Sequence, residues 1–319
     1  MLGPRGPSAV APMRKLKLPN GLCLLQINES ETEFVYREIF IDRCYYQDGQ
    51  DLRPGDVVFD VGANIGLASL FFFLEQPRVA IFAFEPAPLP CEALRVNLRA
   101  HGVTAKVYPC ALAADAGRRA FTYYPQNTVM SGLCADPARD LSLTAAYLEN
   151  SGARLDDARY LAERKFETRQ YECAANTVSG VISTEDIEEI ALMKIDVEGS
   201  ELDVLRGIRD ADWSRIRQLV IEVHQSAILS EITQLLGLNG FSVAVRQDAL
   251  LRNTEVFTLV GLRSPARTAS TRATEPTESR CDAAKRFEET RSKSSALEGA
   301  EDGSDGRSPG VAGGTAERP

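Results

Sequence analysis

Long uncharged apolar runs are missing from this chain of 319 residues. The longest, Ile65 to Leu74, is the length of one core helix and far short of a membrane span. A basic excess is missing as well. The net charge is −9 and the pI about 5.0, which speaks against duplex nucleic acid as the main ligand. The seven cysteines form no C-x-x-C pair, so zinc-ribbon and thioredoxin-like sites have no support. Reduced thiols in a cytoplasmic protein are the expectation. Only two histidines occur, His101 and His224, which excludes a multi-histidine metal centre. Pro4, Pro7, Pro12 and Pro19 break up any apolar signal-peptide core near the N-terminus.

What is present is an ordinary globular composition, 44% hydrophobic and 25% charged. It is unevenly distributed. From Ser264 to Pro319 the large apolar residues are Phe287, Leu297 and Val311, so this stretch is expected to be a disordered tail. From residue 57 to 263 apolar runs alternate with helical patterns. Val57–Val61, Val79–Phe84, Lys106–Leu112, Ile190–Ile195 and Gln218–Val223 read as strands. Between them Ile65–Leu74, Pro88–His101, a helix capped by Ser200, and Ile228–Leu238 read as helices. Phe241–Arg246 and Glu255–Leu262 can pair as a closing antiparallel hairpin. The pattern predicts an α/β fold, a doubly wound, seven-stranded Rossmann-like sheet. The alternation pauses at an insertion of about residues 124–175, with helical patches at Thr144–Leu148 and Asp156–Phe166; such an excursion suits a lid. The expected organisation is an N-terminal extension, 1–51, holding a strand at Leu22–Ile27 and a helix at Phe34–Phe40, a catalytic domain, 52–263, and a tail, 264–319.

The first core strand ends in Asp60-Val61-Gly62-Ala63-Asn64-Ile65-Gly66. A dinucleotide fingerprint starting at Gly62 needs glycine at positions 64 and 67, where Asn64 and Leu67 stand. That weakens a nicotinamide oxidoreductase, one rival reading. An acidic residue two positions before the glycine turn suits a ligand with an ammonium or hydroxyls. The second strand ends in Glu85-Pro86, where a carboxylate can accept both hydroxyls of a ribose.

Taken together, F-D-V-G-A-N-I-G, A-F-E-P and L-M-K-I-D-V-E-G-S-E resemble the FkbM family of S-adenosylmethionine-dependent methyltransferases, over roughly Leu52 to Leu262. Tyr124-Pro125 to Ser131-Gly132 looks like the branch of that family found with polyketide and peptide natural-product pathways. The resemblance implies a class I methyltransferase sheet and O-methylation of a small molecule, a natural product or sugar. It implies that Gly62, Ala63, Asn64 and Gly66 line the methionine and ribose. Asp60 would face the methionine ammonium through water, Glu85 with Pro86 would hold the ribose, and Ala111 would border the adenine, with Asp115 a candidate for its amine. Asp196 would stand beside the sulfonium, with Glu198 two residues on.

Glu222 and His224 share parity at the end of the fifth core strand and should face the same way. His224 is the expected proton acceptor, catalytic together with Asp196 and Glu198. Glu201 and Asp203 can equally be explained as acids favoured at a helix N-terminus, and His101 as structural. No metal ligand is assigned, although Asp196, Glu222 and His224 have the chemistry to supply one. A small-molecule acceptor, neither nucleic acid nor membrane, is the expected partner. The remaining rival is a catalytically silent cofactor-binding module.

Overall fold

The computed structural model describes residues 13–263, apart from 48 and 153–165. The predicted tail and most of the Asp156–Phe166 patch lie outside the described residues.

The first elements come from the N-terminal extension. Strands β1 (Arg14–Lys17) and β2 (Cys23–Gln26) form a hairpin. Helix α1 (Glu29–Tyr36) follows and runs into a π-turn over Arg37–Ile41. This segment does not stand apart. Leu18, Leu24, Tyr36, Ile39 and Tyr45 are buried in the same apolar layer as the core helices. Asn97, itself 1% exposed, receives the Leu25 N–H at 2.7 Å and donates to the carbonyls of Leu25 and Ile65.

The main sheet comprises β3 (Val57–Val61), β4 (Ala80–Phe84), β5 (Ala105–Tyr108), β9 (Leu192–Ile195), β10 (Gln218–Val223), β11 (Phe241–Arg246) and β12 (Phe257–Arg263). Its order is β11-β12-β10-β9-β3-β4-β5. The five strands from β10 to β5 are parallel, and β12 runs antiparallel to both its neighbours. This is the predicted doubly wound, seven-stranded sheet. Alternation along β3 divides the core: Phe59 and Val61 face one layer and Val58 the other. Helices α2 (Leu67–Glu75) and α3 (Pro88–Ala100) cover the Val58 side. Helices α5 (Val178–Glu185), α6 (Glu201–Arg206) and α7 (Ser226–Leu238) cover the other. Ser200 precedes α6 as expected, but its hydroxyl donates to the Val197 carbonyl instead of accepting from the helix.

The third predicted strand, Lys106–Leu112, is two strands. Pro109 has no N–H to give a ladder. The chain breaks there, and β6 (Cys110–Leu112) leaves for a second sheet, β6-β8-β7, with β7 (Gly117–Tyr123) and β8 (Arg169–Asn176). The insertion is thus the long connection of an antiparallel hairpin. It carries α4 (Pro137–Asn150), longer than the predicted Thr144–Leu148 patch. Asp136 caps α4 by accepting from Ala138 and Arg139, and Pro137 opens its first turn.

Gly62 sits at φ +78°, and a Cβ there would fall 1.8 Å from the Asp196 carbonyl oxygen. The turn after β3 therefore lies backbone-against-backbone on the end of β9. Gly62→Ala should cost far more than the ~1–2 kcal/mol of a left-handed backbone. Gly102→Ala, at φ +66° with nothing within 4 Å, should cost only that amount. Thermal melts of the two variants make the comparison, and equal losses would contradict the close approach.

Candidate active site

The carboxyl ends of β4, β3, β9 and β10 open into one cavity of about 600 Å³. Doubly wound sheets place their ligands at such ends. Gly62, Ala63, Asn64, Glu85, Pro86 and Ala111 line it, as do Asp196, Glu198, Glu222 and His224. Of the residues expected to touch cofactor, Asp60 and Gly66 are not on its wall, and Asp115 is exposed.

Asp60 is fully buried behind the wall. Its Oδ2 accepts from Ser69 Oγ at 2.6 Å, and its Oδ1 lies 3.4 Å from Lys194 Nζ. Asp60 and Lys194 are register partners on adjacent strands, which puts their side chains on one face. Its carboxylate is thus engaged within the protein behind the wall. Gly66 meets the protein as well: a Cβ there would lie 2.7 Å from Leu94 Cδ1, so this glycine admits α3 close to the turn.

Glu85 is held by backbone. Its Oε2 accepts the Asn64 N–H at 2.8 Å and its Oε1 the Ala87 N–H at 2.7 Å. Each oxygen keeps acceptor capacity, because an ionised carboxylate offers about four lone-pair sites. Burial pushes its pKa up to about 7, against the lowering effect of the two N–H groups. Asn64, at φ +47°, donates its side-chain amide to Thr128 Oγ1 at 3.1 Å. Thr128 in turn donates its N–H and hydroxyl to Glu31 of α1. One hydrogen-bonded chain therefore joins the glycine turn, the insertion and the N-terminal segment.

At the other end of the cavity lies an acid–imidazole cluster. Glu222 and His224 do face the same way, with Glu222 Oε1 3.5 Å from His224 Nε2. The same nitrogen is 3.3 Å from Glu198 Oε2 and 3.9 Å from Asp196 Oδ1. On the opposite side of the ring, Nδ1 is 2.8 Å from Glu201 Oε1, which also accepts the Gly199 N–H. Glu201 is wholly buried, so its role here is to orient a ring and not merely to suit a helix end. Burial alone would lower the His224 pKa, but Glu198, Glu201 and Glu222 hold it well above the usual value. Burial, with repulsion from Glu222 and Asp196, pushes Glu38 upward; burial raises Glu198 too, against the pull of His224.

The N-terminal segment supplies groups that no motif announced. Tyr45, 5% exposed, donates to Asp196 Oδ2 at 2.8 Å and lies 3.2 Å from Glu222 Oε2. The Lys194 ammonium stands 5.1 Å from the centre of its ring. Tyr45, Glu31 and Glu38 precede the first motif, and their residue types form no pattern there. The insertion also meets the site. Phe34 of α1 stacks edge-on against Tyr147 of α4, centroids 4.9 Å apart, and a Cβ on Gly132 would lie 3.0 Å from that of Glu198. His101 lies away from the cavity, its Nε2 2.7 Å from the Cys23 carbonyl.

Residues 60–243 match the family described as Methyltransferase FkbM domain. Over 251 residues the chain is 45% identical to the 31-O-demethyl-FK506 methyltransferase FkbM of Streptomyces tacrolimicus, spanning 78% of this chain and 96% of that protein. It is 35% identical over 263 residues to the AMB antimetabolite synthetase AmbE of Pseudomonas aeruginosa, spanning 78% of this chain but only 12% of that much longer protein. Methyltransferase sdnD of Sordaria araneosa is 33% identical over 223 residues, 68% of this chain and 85% of its own length. The chain belongs to the FkbM family of S-adenosylmethionine-dependent methyltransferases.

Proposed function

We propose that this chain transfers the methyl group of S-adenosylmethionine to a hydroxyl of a small-molecule natural product. The observation that carries the reading is the order of groups along one cavity edge. Glu85 ends β4, Gly62 follows β3, Asp196 follows β9, and Glu222 and His224 end β10. These are neighbouring strands, so the row spans three strand spacings, roughly 14 Å. That accommodates a cofactor at one end and an acceptor at the other. The name of the FK506 methyltransferase, with its O-demethyl acceptor, supports oxygen as the methylated atom.

Bound S-adenosylmethionine supplies an electrophilic methyl on a sulfonium, open to in-line displacement by the acceptor oxygen. Glu85 would accept the ribose hydroxyls, with the turn from Gly62 to Asn64 beside it. Asp196, at the middle of the row, would border the sulfonium. The acceptor hydroxyl loses its proton as the new bond forms, and the acid–imidazole cluster receives it. Asp196 and Glu222 are the members of that cluster open to the cavity, their side chains 21% and 20% exposed. His224 is the centre that holds them, as the sequence reading of His224 with Asp196 and Glu198 expected. Four surrounding carboxylates make the proton acceptor a shared property of the group. The insertion and α1 would close over the acceptor.

Glu85→Ala should weaken cofactor binding about tenfold or more, since charge-assisted hydrogen bonds contribute roughly 1.5–3 kcal/mol. The pKa of about 7 adds a sign. The ionised carboxylate, present above that value, is the better acceptor of ribose hydroxyls. Affinity measured by calorimetry should therefore rise as the pH is taken upward through 7, and the slope should vanish in Glu85→Ala. A pH-independent affinity in the parent protein would remove Glu85 from the ribose site.

His224→Asn should lower turnover about 10²-fold or more while cofactor affinity stays near parental. Asp196→Asn should damage both. The assay is mass spectrometry of hydroxylated natural products incubated with isotopically labelled S-adenosylmethionine; label on nitrogen or carbon, or none with any acceptor, would overturn the reading. Hydrogen exchange around α4 should slow when cofactor and acceptor are both bound. Unchanged exchange there, with protection confined to the glycine turn, would make the insertion a bystander.

A further inference from the structure

We infer that the cluster at the ends of β9 and β10 is a divalent-cation site, with one oxygen each from Asp196 and Glu198 and Nε2 of His224 as protein ligands. The inference stands on geometry that needs neither cofactor nor acceptor. One donor atom from each of the three residues can be chosen so that all lie within 4.8 Å of one another. Two donors that share one ion at about 2.0–2.6 Å must lie within about 5 Å of each other, so the spacing fits.

The ring is aimed for this role. Its Nδ1 is fixed by Glu201 Oε1 at 2.8 Å, and Glu201 is anchored by the Gly199 N–H. A metal-bound imidazole characteristically has its second nitrogen on a carboxylate in this way. The result is that Nε2 faces Asp196, Glu198 and Glu222 instead of solvent.

The oxygens are left over for it. Asp196 uses Oδ2 for Tyr45 and Lys194, and its Oδ1 is buried with no hydrogen-bond donor among the described residues. Glu198 Oε2 is likewise buried and without a hydrogen-bond donor among the described residues, on a residue only 8% exposed. It lies 3.3 Å from His224 Nε2. Buried carboxylate oxygens without donors are costly. Here two of them converge on one nitrogen, and the side chains of Glu38 and Glu222 line the same cavity. Lys194 is already engaged by Asp60, Asp196 and the Gly62 carbonyl. A cation among these three donors meets the unspent acceptors at once. Two carboxylates and one imidazole suit Mn²⁺, Mg²⁺ or Zn²⁺ better than a soft ion.

The test uses the full chain, stripped with chelator and titrated with Mn²⁺ in the absence of cofactor and acceptor. Electron paramagnetic resonance should show saturable uptake of one Mn²⁺ per chain, and its spin-echo modulation should carry the coupling of an imidazole nitrogen. Glu198→Gln, nearly isosteric, should weaken uptake at least tenfold. Glu201→Gln, behind the ring, should weaken it about 10- to 100-fold. Glu185→Gln, outside the cavity, should leave it unchanged. No saturable uptake, uptake without nitrogen coupling, or equal affinity in Glu198→Gln and the parent would overturn the site. So would competition that only an alkylammonium, and no metal ion, can provide. Because the readout is binding alone, failure of methyl transfer to hydroxyls would leave this result standing, and the reverse also holds.

Discussion

The buried ammonium of Lys194 ties the active edge of the sheet together. It is 3.4 Å from Asp60 on β3 and 3.4 Å from Asp196 after β9, and it donates to the Gly62 carbonyl at 2.7 Å. Burial by itself would lower its pKa, but Asp196 and Asp60 outweigh that and keep it raised. An ion pair of this kind contributes little net stability compared with apolar residues of the same volume. Removing one partner leaves a buried charge and costs about 3–5 kcal/mol. Its value is therefore in placement. It fixes the glycine turn against β9, at the close approach that admits only glycine at position 62. It also fixes Asp196, from which Tyr45 and the His224 cluster are arranged.

Much of this edge was legible in the sequence because chemistry and period coincide there. Apolar runs that give way to Gly62, Glu85, Asp196 and His224 mark where strands stop, and strand ends are where a doubly wound sheet presents ligands. The motif residues Gly62, Glu85, Asp196, Glu198 and His224 do come together at one cavity. What each does was less legible. Asp60 and Gly66 belong to the same motif but serve the fold, one through Lys194 and Ser69, the other by admitting Leu94. A motif records that a residue type is needed, and the contacts decide whether a ligand or the protein needs it. Glu201 shows the converse. An acid at a helix start has a sufficient local explanation, yet its carboxylate holds the imidazole at a separation of 23 residues.

The N-terminal segment was the least legible part for a different reason. Its elements are short, α1 having eight residues and β2 four. Its functional groups recur at no period. Their partners lie 97 residues away for Glu31 and 151 for Tyr45. Nothing local distinguishes Tyr45 from a core tyrosine. A strand break such as that at Pro109 is by contrast fully local, and a stricter reading of proline would have divided Lys106–Leu112 in advance.

These long-range contacts bear on how the enzyme handles its two ligands. Glu31, Thr128 and Asn64 form one chain of hydrogen bonds from α1 through the insertion to the turn beside Glu85. Tyr45 forms a second from the N-terminal segment to Asp196 and Glu222. Each connection starts outside the sheet and ends on a group facing the cavity. A displacement of the segment from 28 to 47 would then release both ends of the active edge, the turn and the acid cluster, in one motion. The apolar contacts of the segment resist this, since Tyr36, Ile39 and Tyr45 are buried against α2 and the sheet. The N-terminal wall is thus held by its own packing. The ring contact between Phe34 and Tyr147 is one of several ties α4 makes, worth only ~0.5–1.5 kcal/mol beyond area burial, and can be exchanged for contact with a ligand of similar apolar surface.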